Sequence, residues 1–314
     1  MPITLAQAKE LSQDKLTNFV IDEFRKSPLL DLLPFDNTVK PQGGKTLAYV
    51  YNRMKTLPTA ATRAINTEYI PQEADTEQVT VNLRPFGGSF QIDRVIAEYE
   101  HQVVDHVKFQ FEQKAKATVA LFNDLLINGD SGVDQNAFDG LNKALTGSST
   151  EITATGVSLD SAANIETNWK GFLYQLRKLR SMLDGAPNIM LMNSDMFGVF
   201  QTVMDFAGIN TATKQNYGDE VAQWGNTTVV AIGDKPGSAN PIIGTDDGAT
   251  SIYVARLGLD GLHGVTPDGD KVVHTYVPNL KAPGAVKIGE VEMVAAMALK
   301  ATRSAGVLRG IKIG

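Results

Sequence analysis

Gly43-Gly44-Lys45-Thr46 carries the residue types that close a phosphate-binding loop, in which backbone amides cradle phosphates and the lysine reaches the outer ones. That loop also needs a glycine five residues before Gly44, where Val39 stands, and a helix that aims its N-terminus at the phosphate. A strand pattern follows instead, so the string reads as a turn. Gly129-Asp130-Ser131-Gly132 matches the surroundings of a trypsin-like serine nucleophile. Such a serine works only with a histidine base and a carboxylate that orients it, on an all-β scaffold. Here a long helical pattern precedes the serine and a loop follows, so the string reads as a helix C-cap and loop. His101, His106, His263 and His274 show no metal-ligand spacing, and no acidic cluster follows a calcium-loop pattern. Each histidine reads as a surface or internally satisfied residue. No catalytic, cofactor-binding or metal-binding residue is expected, and the chain does not read as an enzyme.

Composition narrows the field further. The 29 Lys and Arg against 35 Asp and Glu give a net charge of −6, which excludes a strongly basic nucleic-acid coat. The cations read as singly placed, without the interleaved aromatics of a stacking platform. With no cysteine, disulfides, thiolate nucleophiles and thiolate metal sites are excluded. No apolar run approaches the ~18 residues of a membrane span, and MPITLAQAKELSQDK has no signal-peptide pattern. The expectation is a soluble protein of intracellular type. Apolar residues at 43% suffice for a core, whereas charged residues at 20% fall below the ~25% of ordinary domains. More of the surface than usual is then expected to be covered by something other than water.

The elements read as follows. A helical pattern runs from Thr4 to Ser27-Pro28, and the segment SPLLDLLPFDNTVKPQGG, broken by prolines and glycines, reads as an extended arm. Lys45–Met54 reads as a strand with Leu47, Tyr49 and Tyr51 on one face. Its partner Glu77–Arg84 alternates Val79, Val81 and Leu83 with polar residues, and Phe90 and Ile92 continue beyond a Gly87-Gly88 turn. The polar stretch between the strands is too long for a structureless loop in a compact domain, so residues 44–93 read as a projecting hairpin. From Arg94 to Ile127 one helix carries the stripe Ile96, Tyr99, Val103, Val107, Phe111, Ala115, Val119, Phe122 and Leu126. It would cross the whole molecule, as the backbone of a flat plate does. An α/β region follows, with a helix at Ser161–Leu183, a buried strand at Asn188–Met192, a capped helix to Phe206 and short strands. Strands at Val286–Lys300 and Val307–Ile313 end the chain.

Charge is ordered along the hairpin. Lys45, Arg53, Lys55 and Arg63 lie on the first limb without an acid. Glu68, Glu73, Asp75 and Glu77 follow without a base, giving +4 against −4. Either the limbs neutralise each other, or the charges fix the register of the hairpin on a neighbouring subunit. In the second case Arg53→Glu or Arg63→Glu impairs assembly and leaves subunit unfolding unchanged.

This order of segments resembles the major capsid proteins of tailed bacteriophages. The strings that carry the resemblance are AKELSQDKLTNFVIDEFRKSPLLDLLPF at the arm, VTVNLRPFGGSFQIDRVIAEY leading into the long helix, FDGLNKAL after it, and NIMLMNSDMFGVFQ. The resemblance implies an α+β capsid fold with an N-terminal arm (1–43), an extended loop (44–93), a peripheral domain on a spine helix (94–157) and an axial domain (158–285). Terminal strands (286–314) would return to the peripheral domain. It implies self-assembly into hexamers and pentamers of an icosahedral virion shell, built in the host bacterial cytoplasm around double-stranded DNA without sequence-specific binding. A scaffolding protein and a portal would take part in assembly, a decoration protein would be a further partner, and neither cofactor nor membrane is implied. The arm starts almost at Met1, so the scaffold is expected to be separate or an extension already removed. Some family members crosslink lysine to asparagine. Lys55 is placed to be a donor, but no partner residues match, so this chemistry is not carried over. The nearest alternative is an encapsulin-type nanocompartment shell; the other is a hydrolase or NTPase built on the two strings above.

Overall fold

The proline-broken segment after Ser27 is packed, not extended. In the computed structural model, which describes residues 28–39, 44–56, 58–71, 73–94, 103–209, 212–216, 219–268 and 272–314, Pro28–Leu32 forms a short helix, α1. Pro28 occupies its first position, where a missing N–H costs nothing. Leu29 and Leu33, four residues apart, share one face and are both buried. After Pro34, β1 (Phe35–Asn37) pairs in parallel with the strand Leu262–Thr266, Phe35 lying opposite Gly264. The Phe35 ring fills the place of a side chain at Gly264: a Cβ there would lie 2.3 Å from a ring carbon. The same ring meets Phe122 at 6.1 Å. The expectation of an extended arm is therefore corrected for residues 28–37, because prolines end helices without preventing neighbouring leucines from being buried. The helical pattern expected over residues 4–27 lies outside the described residues.

β2 (Ala48–Met54) and β3 (Thr76–Asn82) form an antiparallel ribbon with Tyr51 opposite Val79 and Arg53 opposite Glu77. Period-two alternation turns Tyr49, Tyr51 and Val81 onto the core and leaves Val50 and Met54 exposed. Leu47 precedes the strand and is exposed, contrary to its expected place on the apolar face. Gly87-Gly88 is not a turn either. Both residues lie inside β4 (Arg84–Asp93), where a Cβ on Gly87 would sit 2.0 Å from the Val291 carbonyl oxygen. Glycine here permits a close approach of two strands, a second common reason for glycine in a strand.

The spine helix α2 is described over Val103–Asn128, about 39 Å at 1.5 Å per residue. Phe111, Ala115, Phe122 and Leu126 are buried along the expected stripe, with Val107 and Val119 half-buried against the same core. Ile96 and Tyr99 lie outside the described residues. Next come α3 (Leu141–Leu145), β5 (Glu151–Thr153), α4 (Ala162–Met182), β6 (Ile189–Met192) and α5 (Ser194–Phe206). Ser161 accepts a hydrogen bond from the Asn164 amide and caps α4. Asn193 accepts one from the Met196 amide at 2.8 Å and caps α5. The remaining strands are β7 (Ala212–Asn216), β8 (Asp219–Trp224), β9 (Thr227–Ala231), β10 (Ala249–Ala255), β11 (Leu262–Thr266), β12 (Val273–Tyr276), β13 (Val286–Leu299) and β14 (Ala305–Lys312).

Two larger sheets result. One has the order β5-β14-β10-β6-β9-β8-β7, with β6 buried at every position. Helices α4 and α5 cover one of its faces through Phe172, Leu176, Phe200 and Met204. From the other face Ile189, Leu191 and Tyr253 join the core of the spine helix. The second sheet runs β1-β11-β13-β12, and β4 also pairs with β13. The terminal strands lie in different sheets, and Ala305 and Val307 of β14 still join the core of the spine helix. β13 lies in the sheet under the spine helix, whereas β14 pairs with β10 and β5 in the other sheet. β11 and β12 also pair with β13. Alternation along a strand reports its buried faces but not its neighbours.

Candidate functional site

The hairpin is latched to the body at its root. The Tyr49 hydroxyl donates to Asp36 Oδ2 at 2.6 Å, and the Tyr51 hydroxyl donates to the Leu299 carbonyl at 2.9 Å. Arg53 donates from Nη2 to Leu299 O at 2.7 Å and from Nε to Lys300 O at 3.2 Å. The Lys300 ammonium lies 5.3 Å from the centre of the Tyr49 ring and 4.0 Å from Asp36. Burial alone would raise the Asp36 carboxyl, but bonds from Tyr49 and the Asn37 amide, with the Lys300 charge, hold it below its usual range. Burial and then the bond to Asp36 push Tyr49 well up.

His263 packs edge-on against Tyr49 at 5.7 Å, is fully buried, and has neither ring nitrogen in a well-formed hydrogen bond among the described residues. It is therefore not the satisfied or surface histidine expected. Burial, then the nearby Lys300 charge, push its pKa down; the Gly261 and Gly258 carbonyls and the Asp36 carboxylate oppose this weakly. The unfolded chain, with an ordinary pKa of ~6.5, then binds more protons than the folded one just below that pH. Stability falls as pH drops through this window. Thermal unfolding of the unassembled subunit should show a loss between about pH 7 and pH 5. His263→Phe should remove its share of that loss, and an equally steep loss in the variant would show that the ring is not responsible.

The eight charged residues of the hairpin divide into two groups. Lys45 pairs with Asp268, and Arg53 binds the backbone carbonyls named above. Lys55 reaches Asp75 only at 4.0 Å, with both side chains exposed. Arg63 donates to the carbonyls of Thr67 and Ala64 and lies 5.3 Å from the Tyr69 ring centre. Glu68, Glu73 and Glu77 are exposed and in no ion pair among the described residues. The limbs therefore neutralise each other at one exposed pair and not along their length. Arg53→Glu would unlatch the hairpin and lower subunit stability, so the expectation that it leaves unfolding unchanged does not hold. Between the limbs, Ile65 is 90% exposed, Ile70 86% and Tyr69 62%.

The two strings with catalytic overtones lie in a strand bridge and a loop. Lys45 enters a strand bridge opposite Val39, and β2 follows it. Ser131 lies in a loop closed by Lys143, whose ammonium donates to Asp130 at 2.7 Å, Asp139 at 2.9 Å and the Ser131 hydroxyl at 3.3 Å. Hydrogen bonds to the two carboxylates raise the pKa of Lys143. Gly129 and Gly140 let this loop fold against the end of the spine: a Cβ on Gly129 would lie 2.2 Å from the Phe138 carbonyl oxygen. Among the described residues no group of three or more histidines and acids is placed to hold a metal. The reading of cations as dispersed is corrected on α4, where helical periodicity gathers Lys170, Arg177 and Lys178 on one exposed face.

No family model matches the chain, and no curated protein matches it in sequence. Solved structures do. The holo-SrpI encapsulin complex from Synechococcus elongatus PCC 7942 superposes with a TM-score of 0.59 at 14% identity, covering 90% of this chain and 87% of that one. A chain from Mycobacterium phage Bobi gives 0.57 at 11% identity over 90% of both chains. The capsid of a native GTA particle gives 0.54 at 11% identity over 91% and 90%. The chain has the α+β major capsid fold shared by tailed-phage shells and encapsulins.

Proposed function

We propose that the chain is the repeating subunit of a closed protein shell: a major capsid protein forming hexamers and pentamers of an icosahedral virion that encloses double-stranded DNA. The observation that carries the reading is the hairpin between β2 and β3. Its root is fixed by Tyr49, Tyr51 and Arg53, while its tip displays Ile65, Tyr69 and Ile70 that its own subunit leaves uncovered. An apolar tip on an anchored stalk suits a seat on a second copy. In this reading residues 1–43 are the arm, 44–93 the extended loop, 94–157 the peripheral domain and 158–285 the axial domain. A scaffolding protein, a portal and a decoration protein are the partners of such a shell, which is built in the bacterial cytoplasm. Among the described residues no helix is long and apolar enough to cross a membrane.

A second reading, an encapsulin-type compartment, is favoured by the superposition on the Synechococcus shell. Nuclease treatment of purified particles separates the two. Protected duplex DNA supports the virion, and enclosed protein cargo without DNA supports the compartment. Arg63→Glu tests the role of the loop: particle yield by sedimentation should fall while the unfolding free energy of the subunit stays within about 0.5 kcal/mol of the parent. Parent yield would make Arg63 a solubilising residue only.

A further inference from the structure

The exposed face of α4 carries Lys170, Tyr174, Arg177 and Lys178. At ~100° per residue these four side chains fall within an arc of about 100°, with Tyr174 near its middle. None of the three cations has a carboxylate within ion-pair distance among the described residues, and Glu166, near the N-terminal end, is the only acid in the helix. Arg180, one side over, lies against the Trp224 ring at 4.6 Å, where burial and then the charge of Arg177 lower its pKa. In a chain of net charge −6, three cations gather here against one acid, Glu166, one turn before Lys170.

We propose that this face binds the phosphate backbone of duplex DNA. From Lys170 to Lys178 the helix rises about 12 Å, and one DNA strand presents a phosphate every ~3.4 Å of axis, so the stripe spans roughly three phosphates. The Tyr174 side chain is 69% exposed and carries a hydroxyl able to donate to a phosphate oxygen. The competing occupant is the acidic limb Glu68–Glu77 of a second copy. That limb brings Ile70 and Tyr69 with it, and a protein interface needs an apolar centre to seat them. The α4 face is convex, and Tyr174 is the large apolar group exposed on it among the described residues. A duplex backbone requires no apolar seat. The inference rests on the DNA-enclosing reading for its setting. Its binding test uses unassembled subunits, so a failed DNA assay and a failed shell assay are distinct results.

The test measures binding of a fluorescent 20-base-pair duplex to the full-length subunit from 50 to 200 mM salt. The expected log–log slope is about −3, from ~0.9 per neutralised phosphate. Arg177→Gln with Lys178→Gln should bring the slope to about −1 and weaken binding at least ten-fold at 50 mM salt, with an unchanged melting temperature. Exchanging the two (Arg177→Lys with Lys178→Arg) should keep the parental slope. The proposal is overturned if the glutamine pair binds with the parental slope, if the parent does not bind at 50 mM salt, or if a peptide of residues 66–78 displaces the duplex at matched charge.

Discussion

Phe111→Ala is expected to cost about 3–5 kcal/mol of subunit stability. The ring is fully buried on the spine helix and meets Phe90 edge-on at 4.9 Å, tying α2 to β4. Through that contact it joins the one core shared by the arm, the spine and the β13 sheet. Truncation removes apolar contacts and leaves a cavity that a rigid helix on a paired sheet cannot close. Domains are stable by only ~5–15 kcal/mol, so a loss of this size lowers the yield of folded, soluble subunit itself and not assembly alone. Urea unfolding of the unassembled subunit measures it, and Phe111→Leu, which keeps most of the volume, should lose much less. A Phe111→Ala subunit that unfolds at the parental midpoint yet fails to assemble would make this face an interface and the orientation of the helix wrong.

The second large effect is expected where burial within the subunit is least. Ile65→Asp with Ile70→Asp changes two side chains that are already almost fully in water, so subunit unfolding should move by less than about 0.5 kcal/mol. If the tip seats on a neighbour, both positions become buried, and an unpaired carboxylate there costs several kcal/mol. Because that cost recurs at every subunit contact, particle yield by sedimentation should collapse. Parental yield would mean that the tip stays in water within the assembly.

These two residues also mark what could be read from the sequence. The spine was legible because an uninterrupted 3.6-residue period picks out its buried stripe without reference to any other element, and Phe111, Ala115, Phe122 and Leu126 lie on it. A cap before α5 was legible as Asn193, Ser194 or Asp195, and Asn193 supplies it; Ser161, the first residue of the expected helix, caps α4. Sheet partners were not: β14 reads equally well beside β13 or β10, and only three-dimensional closure chooses between them. Gly87 reads as a turn residue, yet it makes room for the distant Val291 carbonyl, just as Gly264 makes room for the Phe35 ring. Arg53 was chosen for its charge. Its parity with Tyr49 and Tyr51 was the overlooked sign that it faces the body. The buried, unpartnered His263 carries no local signal, since its environment is assembled from Tyr49, Asp36 and Lys300.

The most direct measurement of the central claim is sedimentation, paired with electron microscopy, of the purified full-length chain across ionic strength. Subunits that form a shell through repeated, partly electrostatic contacts should appear as capsomers or closed particles. Their fraction should change as the Debye length falls from ~10 to ~3 Å, with free subunits nicked by protease between residues 55 and 75. A monomer at every ionic strength and at high concentration, with that segment resistant to protease, would contradict the account.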